Sequence, residues 1–357
     1  MMERDNIHFT FRTIDGYNKT YNCVFCSRDV GKTTALELDK MLFPFLNRGL
    51  TFGYMVRTSI EIDEELIESI ETRINRFMEK PIKFIYHKGE FVKGIVSLYL
   101  MKDKKKELCG KIISIGLPLQ RLKKICIKNI HALIGDEYVC NESAGEKYVN
   151  KEALKIKELY NTLQRFAYKP KGLKVYLCGN PYSKDTPMIR DLNVDMNLMK
   201  EGARIVGPNY IVECYKMSEE LKKYILERNP LYEFDDTYKK YAFDGQYMND
   251  KNIPIGTLPN NYSLKFVFNM EGIYLGIFKN NYYKEHTEKY FVKKINFGEV
   301  RRASFCFEFD DLLSGSILMS SEERSLFSHF KQSIRKRDIA FEDVACYHMI
   351  EEIYEHL

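Results

Sequence analysis

Three groups of residues in this chain are of types, and at spacings, that handle phosphate. The stretch CSRDVGKTT (26–34) closes in Gly-Lys-Thr as a phosphate-binding loop does, with Cys26 standing where such loops have their first glycine. In this reading Cys26, Ser27, Arg28, Asp29, Val30, Gly31, Lys32, Thr33 and Thr34 form the cradle. The amides of residues 28–33 converge on an anion at the start of the following helix, where unpaired N–H groups and the helix dipole favour negative charge. Gly31 supplies permissive backbone, Lys32 reaches the β- and γ-phosphates, and the Thr33 hydroxyl ligates Mg²⁺. The first glycine mainly eases the turn into the loop, so a small residue with negative φ, such as Cys26, is expected to serve there. The second group is Asp136-Glu137, closing the apolar run IHALIG. Asp136 would hold the Mg²⁺ shell through water, and Glu137 would activate the water that attacks the γ-phosphate. The competing reading is a pair of acids that ends a strand at the surface. The third group is Asn180, after LKVYLCG, placed to sense the γ-phosphate or orient water, although Asn-Pro also starts ordinary turns. ATP and Mg²⁺ are the cofactors these groups call for.

Such residues act together only if a sheet brings the ends of several strands to one edge. YNCVFC (21–26) is a short apolar run, and a helical pattern follows from Lys32 through Leu36 and Leu42 to Gly49, so strand, loop and helix come in the order the cradle needs. TFGYMVR (51–57) reads as a strand, and residues 62–80 as an amphipathic helix with acids in its first turn and bases in its last. Residues 82–116 read as three or four strands joined by turns at Lys88-Gly89 and around Lys104, an antiparallel insertion. NIHALIG and LKVYLCG are continuous apolar runs, as buried parallel strands are, with a helical pattern over 149–166 between them. The texture changes after about residue 200. A stretch punctuated by Pro208-Asn209, Asn229-Pro230 and Asp235-Asp236 and holding two weak helical patterns precedes an aromatic-rich β-meander (262–297) and helical patterns over 320–337 and 341–356. The expected division is an α/β ATPase domain over 1–200, a linker region over 201–230 and a smaller α+β domain over 231–357.

Composition sets outer limits. At 357 residues the chain has room for two domains, and no apolar run approaches the ~20 residues that span a bilayer. MMERDNIHFTF lacks the basic and then apolar segments of an export signal, so a cytoplasmic location without a membrane partner is expected. Nine cysteines, an odd number, lie in apolar stretches and read as buried, reduced thiols; the single C-x-x-C, Cys23 and Cys26, has no second pair to complete a zinc site. A net charge of +5 permits an anionic partner without requiring one. Local clusters of bases, Lys104-Lys105-Lys106, Lys123-Lys124 with Lys128, and Arg335-Lys336-Arg337, are candidates to meet it, and solvated surface is the ordinary alternative.

CVFCSRDVGKTTALELDK, FGYMVR, IHALIGDEYV and LYNTLQRF followed by LKVYLCGNP, in this order and spacing, resemble the DNA-packaging ATPases (encapsidation proteins) of phi-twenty-nine-like phages. The resemblance spans about residues 20–185 and reaches the C-terminal domain only through its meander followed by helices. It implies an additional-strand catalytic-glutamate (ASCE) P-loop ATPase domain and a vestigial, RNase H-like C-terminal domain. It further implies a homomeric ring, a pentamer, that translocates double-stranded DNA in the host cytoplasm at the portal, or connector, vertex of a procapsid, in some members with a packaging RNA. Arg28 falls on the loop arginine of that family, and Arg165, in NTLQRF, on its trans-acting arginine finger. Without the resemblance Arg165 reads as a surface arginine. Cys26 and Asp29 replace glycines of the pattern, and the second basic contributor after the YVR strand has no counterpart in Thr58-Ser59-Ile60. Two alternatives stay open: a terminase-like enzyme with a live nuclease, or a non-motor switch that binds DNA or portal. A two-metal nuclease needs converging carboxylates. The first meander strand offers Asn269 and, at its turn, Glu271, with Glu308, Asp310 and Asp311 later, which a solvated acidic loop explains equally well. For DNA contact the lysine turn Lys104, Lys105 and Lys106 is the preferred surface.

Overall fold

The computed structural model describes residues 7–102, 104–141, 144–228, 253–270, 272–282, 288–300, 303–307, 311–312, 315–320 and 323–357. The chain divides into two compact units, Met1–Asn249 and Asp250–Leu357.

The first unit opens with α1 (Arg12–Gly16) and β1 (Tyr21–Phe25). The phosphate-loop stretch then leads into α2 (Lys32–Ala35), which continues through a π-helical segment (Leu36–Leu42) into α3 (Phe43–Arg48). β2 (Thr51–Val56), α4 (Glu64–Asn75), the hairpin β3 (Ile95–Lys102) and β4 (Lys105–Ser114), and the short α5 (Leu119–Leu122) come next. They are followed by β5 (Ile130–Gly135), α6 (Glu152–Gln164), β6 (Lys174–Gly179), α7 (Pro187–Asp191), β7 (Arg204–Val206), β8 (Tyr210–Cys214) and α8 (Glu219–Arg228). The strands form one eight-stranded sheet in the order β3-β4-β2-β5-β6-β1-β8-β7. Its six inner strands are parallel, and β3 and β7 close the edges antiparallel. β2 is buried at every position, because helices cover both faces of the sheet: β5 touches the π-helical segment on one side and α6 on the other. β6 lies between β1 and β5, so the strand ending at Asn180, not the one ending at Asp136, is the immediate neighbour of the loop strand.

Two expectations need correction. Residues 82–116 hold one hairpin, not three or four strands. Lys88–Lys93 is a 3₁₀ turn; the pairing across the turn at Lys104 is antiparallel, as expected, and β4 also pairs parallel with β2, so the hairpin extends the main sheet. The described part of 201–230, residues 201–228, is not a linker. β8 pairs with β1 along Tyr21–Phe25, and Met217, Leu221 and Ile225 enter the core of the first unit. Short strands of three and five residues around a Pro-Asn turn carry too little pattern to read as sheet.

The second unit contains the meander β9 (Tyr262–Met270), β10 (Ile273–Asn280) and β11 (Tyr290–Ile295), then β12 (Ser304–Cys306), β13 (Ser316–Leu318), α9 (Ser328–Lys336), β14 (Ile339–Phe341) and α10 (Val344–His356). The sheet order is β13-β12-β9-β10-β11-β14, with β12 parallel to β9, β13 parallel to β12 and β14 parallel to β11. Phe268 packs with Phe327 and Phe330 at ring-centroid distances of 5.2 and 6.4 Å, joined by Ile350 and Ile353 of α10. None of the described helices is long and apolar enough to cross a membrane. All nine cysteines are free thiols, and all but Cys126 are buried.

Candidate functional site

The three groups read from the sequence meet at the C-terminal ends of β1, β6 and β5. Positive φ in the loop falls at Asp29 (59°) and Gly31 (86°) and not at Cys26, so the glycine missing from position 26 is not needed for backbone freedom. Cys26 continues the pairing, its amide donating to the Gly179 carbonyl at 3.1 Å, and its side chain sinks into the core, where burial pushes the thiol pKa up to about 12. Gly31 is a stricter requirement: beyond its left-handed φ, a Cβ there would stand 3.2 Å from the His8 ring.

Lys32 is buried, and its Nζ donates to Asn180 Oδ1 at 2.6 Å. Thr33 Oγ1 donates to Asp136 Oδ2 at 2.5 Å, and Asp136 Oδ1 is buried without a hydrogen-bond partner. A carboxylate oxygen left in this way beside a threonine hydroxyl is suited to an ion or its water. Arg28 Nη2 donates to Tyr182 Oη at 2.6 Å. Glu137 takes a left-handed φ of 51°, a strained choice for a side chain of this kind. Arg57 holds it there: Nη1 donates to the Glu137 carbonyl at 2.9 Å, Nη2 to the Tyr138 carbonyl, and Nε to the buried Glu152 carboxylate of α6 at 3.3 Å. Desolvation in the cleft and then the adjacent Asp136 carboxylate raise the pKa of Glu137, while Lys32 and Arg28 pull it the other way.

A cleft of about 640 Å³ lies over the loop, lined by Arg28, Asp29, Gly31, Lys32, Thr33, Thr34, Glu137 and Asn180 from the predicted set. His8, Arg73, Arg76, Phe77, Tyr224 and Arg228 complete it and were not foreseen. The cations suit a polyanion, and beside them the His8 and Tyr224 rings pack edge to face at 5.5 Å. A second cleft of about 900 Å³ shares Thr33, Arg73 and Glu137 with the first and adds Arg57, Asp136 and Glu152. Arg165 is absent from the lining of both. It caps the C-terminus of α6 and is exposed. Lys104, Lys105 and Lys106 are exposed at the β3–β4 turn, but they do not project as one group: Lys104 sits in the turn at a φ of 63°, strand alternation sends Lys105 and Lys106 to opposite faces, and Lys106 Nζ lies 4.2 Å from the Tyr99 ring centroid. In the second unit Asn269 is buried and donates to the Asp311 carbonyl at 2.7 Å; Glu271, Glu308 and Asp310 lie outside the described residues.

No protein-family model and no curated protein matches the chain. Among solved structures, its fold is similar to that of a chain of the bacteriophage Phi-29 viral genome packaging motor assembly, with a TM-score of 0.69 and 15% identity over 98% of this chain and 99% of that one. It is also similar to the Phi-28 gp11 DNA packaging motor, with a TM-score of 0.60 and 16% identity over 95% of each chain. At these identities the likeness is one of fold, and it runs the length of the molecule.

Proposed function

We propose that this chain is the ATP-hydrolysing subunit of a motor that drives double-stranded DNA into a viral procapsid. The observation that carries the reading is the meeting of Thr33 with Asp136, and of Lys32 with Asn180, over the ends of three parallel strands. The full-length likeness in fold to two packaging-motor chains supports it. So does the position of β6 between β1 and β5, an additional strand between loop and acid, as the ASCE class has it. The second unit is assigned as RNase H-like on its order of three antiparallel strands with two more added parallel to the first.

In this mechanism the loop amides, Arg28 and Lys32 bind and orient the triphosphate. Glu137 takes a proton from water as the water oxygen bonds to the γ-phosphorus and the bond to the ADP oxygen breaks. Thr33 Oγ1 and, through water, Asp136 are the groups that would hold Mg²⁺, which would supply charge neutralisation to the triphosphate. Asn180, on Lys32 in this structure, is positioned to report whether the γ-phosphate is present. Arg165, exposed and away from its own cleft, is assigned to a neighbour's γ-phosphate, and a homomeric ring, a pentamer by resemblance, at the portal of the procapsid in the host cytoplasm belongs to the same reading. A packaging RNA belongs to the same reading.

Nucleotide binding and single-turnover hydrolysis test the site. Lys32→Ala is expected to weaken ATP binding and abolish turnover, and Glu137→Gln to keep ATP while losing hydrolysis by ~10²-fold or more. Turnover in Glu137→Gln equal to wild type would remove that residue from the role of base.

A further inference from the structure

The helix that leaves the phosphate loop is irregular: Leu36–Leu42 is π-wound between two α-helical pieces. Widened turns of this kind recur at functional sites, where they re-aim a side chain. The side chain that stands out here is Glu37, four residues beyond Thr33 and wholly out of solvent. Its carboxylate grips Arg73 of α4 in a fork, with Arg73 Nε 3.0 Å from each oxygen and Nη2 2.5 Å from Oε1, while Nη1 donates to Ser69 Oγ at 2.5 Å.

As a fastening between two helices this is an expensive choice, because a buried carboxylate must be desolvated and an apolar pair of similar volume would hold the helices as well or better. As a way to aim a cation it is effective. The fork occupies one edge of the guanidinium and fixes its plane; with Ser69 taking one N–H of Nη1, one N–H on each of Nη1 and Nη2 is left to bind something else. Arg73 stands at the junction of the two clefts: it lines both the one containing Gly31 and Lys32 and the one containing Asp136, and Thr33 and Glu137 are common to the two. With Lys32 and Thr33 read as contacts to the terminal phosphates and Glu137 as the base, the terminal phosphate of a triphosphate and the water attacking it would lie at that junction, which a diphosphate would not reach.

Resting on the reading of the cleft as an ATP site, we propose that Arg73, aimed by Glu37, contacts the terminal phosphate of its own subunit's nucleotide and makes the site distinguish ATP from ADP. This cation acts in cis, on the helix following β2, and is separate from the loop arginine and from Arg165.

The test compares ATP and ADP affinity and single-turnover hydrolysis in the full chain. Arg73→Ala alone would leave Glu37 buried and unpaired, so the informative variants are Glu37→Met with Arg73→Met, which removes both charges, and Arg73→Lys, which keeps a partner for Glu37 but has no second edge. In both, ATP affinity is expected to fall by about tenfold or more with ADP affinity nearly unchanged, and hydrolysis to fall by ~10²-fold, the loss typical of one transition-state donor. A cooperatively folded variant of either kind with the ATP preference and hydrolysis rate of wild type would overturn the proposal and leave the pair a structural fastening. If the wild-type chain binds neither nucleotide, the ATP reading itself fails, a result distinguishable from the first.

Discussion

At the residue scale, Glu137 is where several effects converge. Its backbone is held in a left-handed conformation by the half-buried Arg57, and its carboxyl is desolvated beside Asp136. A general base works deprotonated. A folded-state pKa above the ordinary carboxylate value of 4.5 therefore means that activity is present at higher pH and lost as pH falls through that raised value. The pH profile of single-turnover hydrolysis is expected to show an acid limb above 4.5, and replacing Lys32, which lowers the Glu137 pKa, is confounded by lost binding, so the limb should be followed in wild type. A rate that holds level down to pH 4.5 would mean that Glu137 is not the titrating base. Asp136, Glu137 and Asn180 were legible because each closes an apolar run, and the Gly-Lys-Thr ending because it stands between an apolar run and a helical pattern. Arg57, Arg73 and Glu37 were not, because their meaning lies in partners 95 and 36 residues away. Arg73 in the last turn of an amphipathic helix reads as a complement to the helix dipole, and nothing local says otherwise.

At the scale of elements, long buried strands announced themselves as continuous apolar runs and the meander as aromatic-rich segments between turns. The edges of the first sheet did not. β7 and β8 make a short hairpin whose role is set by pairing with β1, almost two hundred residues earlier, and reading 201–230 as linker detached from the first unit the weak helical pattern that is α8, whose Tyr224 and Arg228 line the cleft. α6 links the two halves of the proposed cycle: its first turn carries Glu152, bound to Arg57 beneath Glu137, and its C-terminus carries Arg165. If Arg165 serves a neighbour, Arg165→Ala and Glu137→Gln chains should each be inactive and should recover part of the ATP turnover when mixed, since some junctions would pair an intact Glu137 with an intact Arg165. Demonstrated co-assembly without recovery would confine Arg165 to the surface role.

At the scale of the whole molecule, a translocase must hold any sequence while it moves, so its grip rests on phosphates and weakens steeply with salt. With Lys105 and Lys106 on opposite strand faces, replacing Lys104, Lys105 and Lys106 by Ala is expected to flatten the slope of log K against log salt by about 0.9 for each lysine that neutralises a phosphate, fewer than all three. An unchanged slope would move the search to Lys124 and Lys128 or to the bases that end α9. The central claim is that this cleft hydrolyses ATP in the service of DNA. The most direct measurement is the steady-state rate of ATP turnover with and without linear double-stranded DNA of unrelated sequences, in wild type and in Glu137→Gln. The account predicts that every such DNA raises wild-type turnover while Glu137→Gln stays at background; a wild-type rate indifferent to DNA would contradict it.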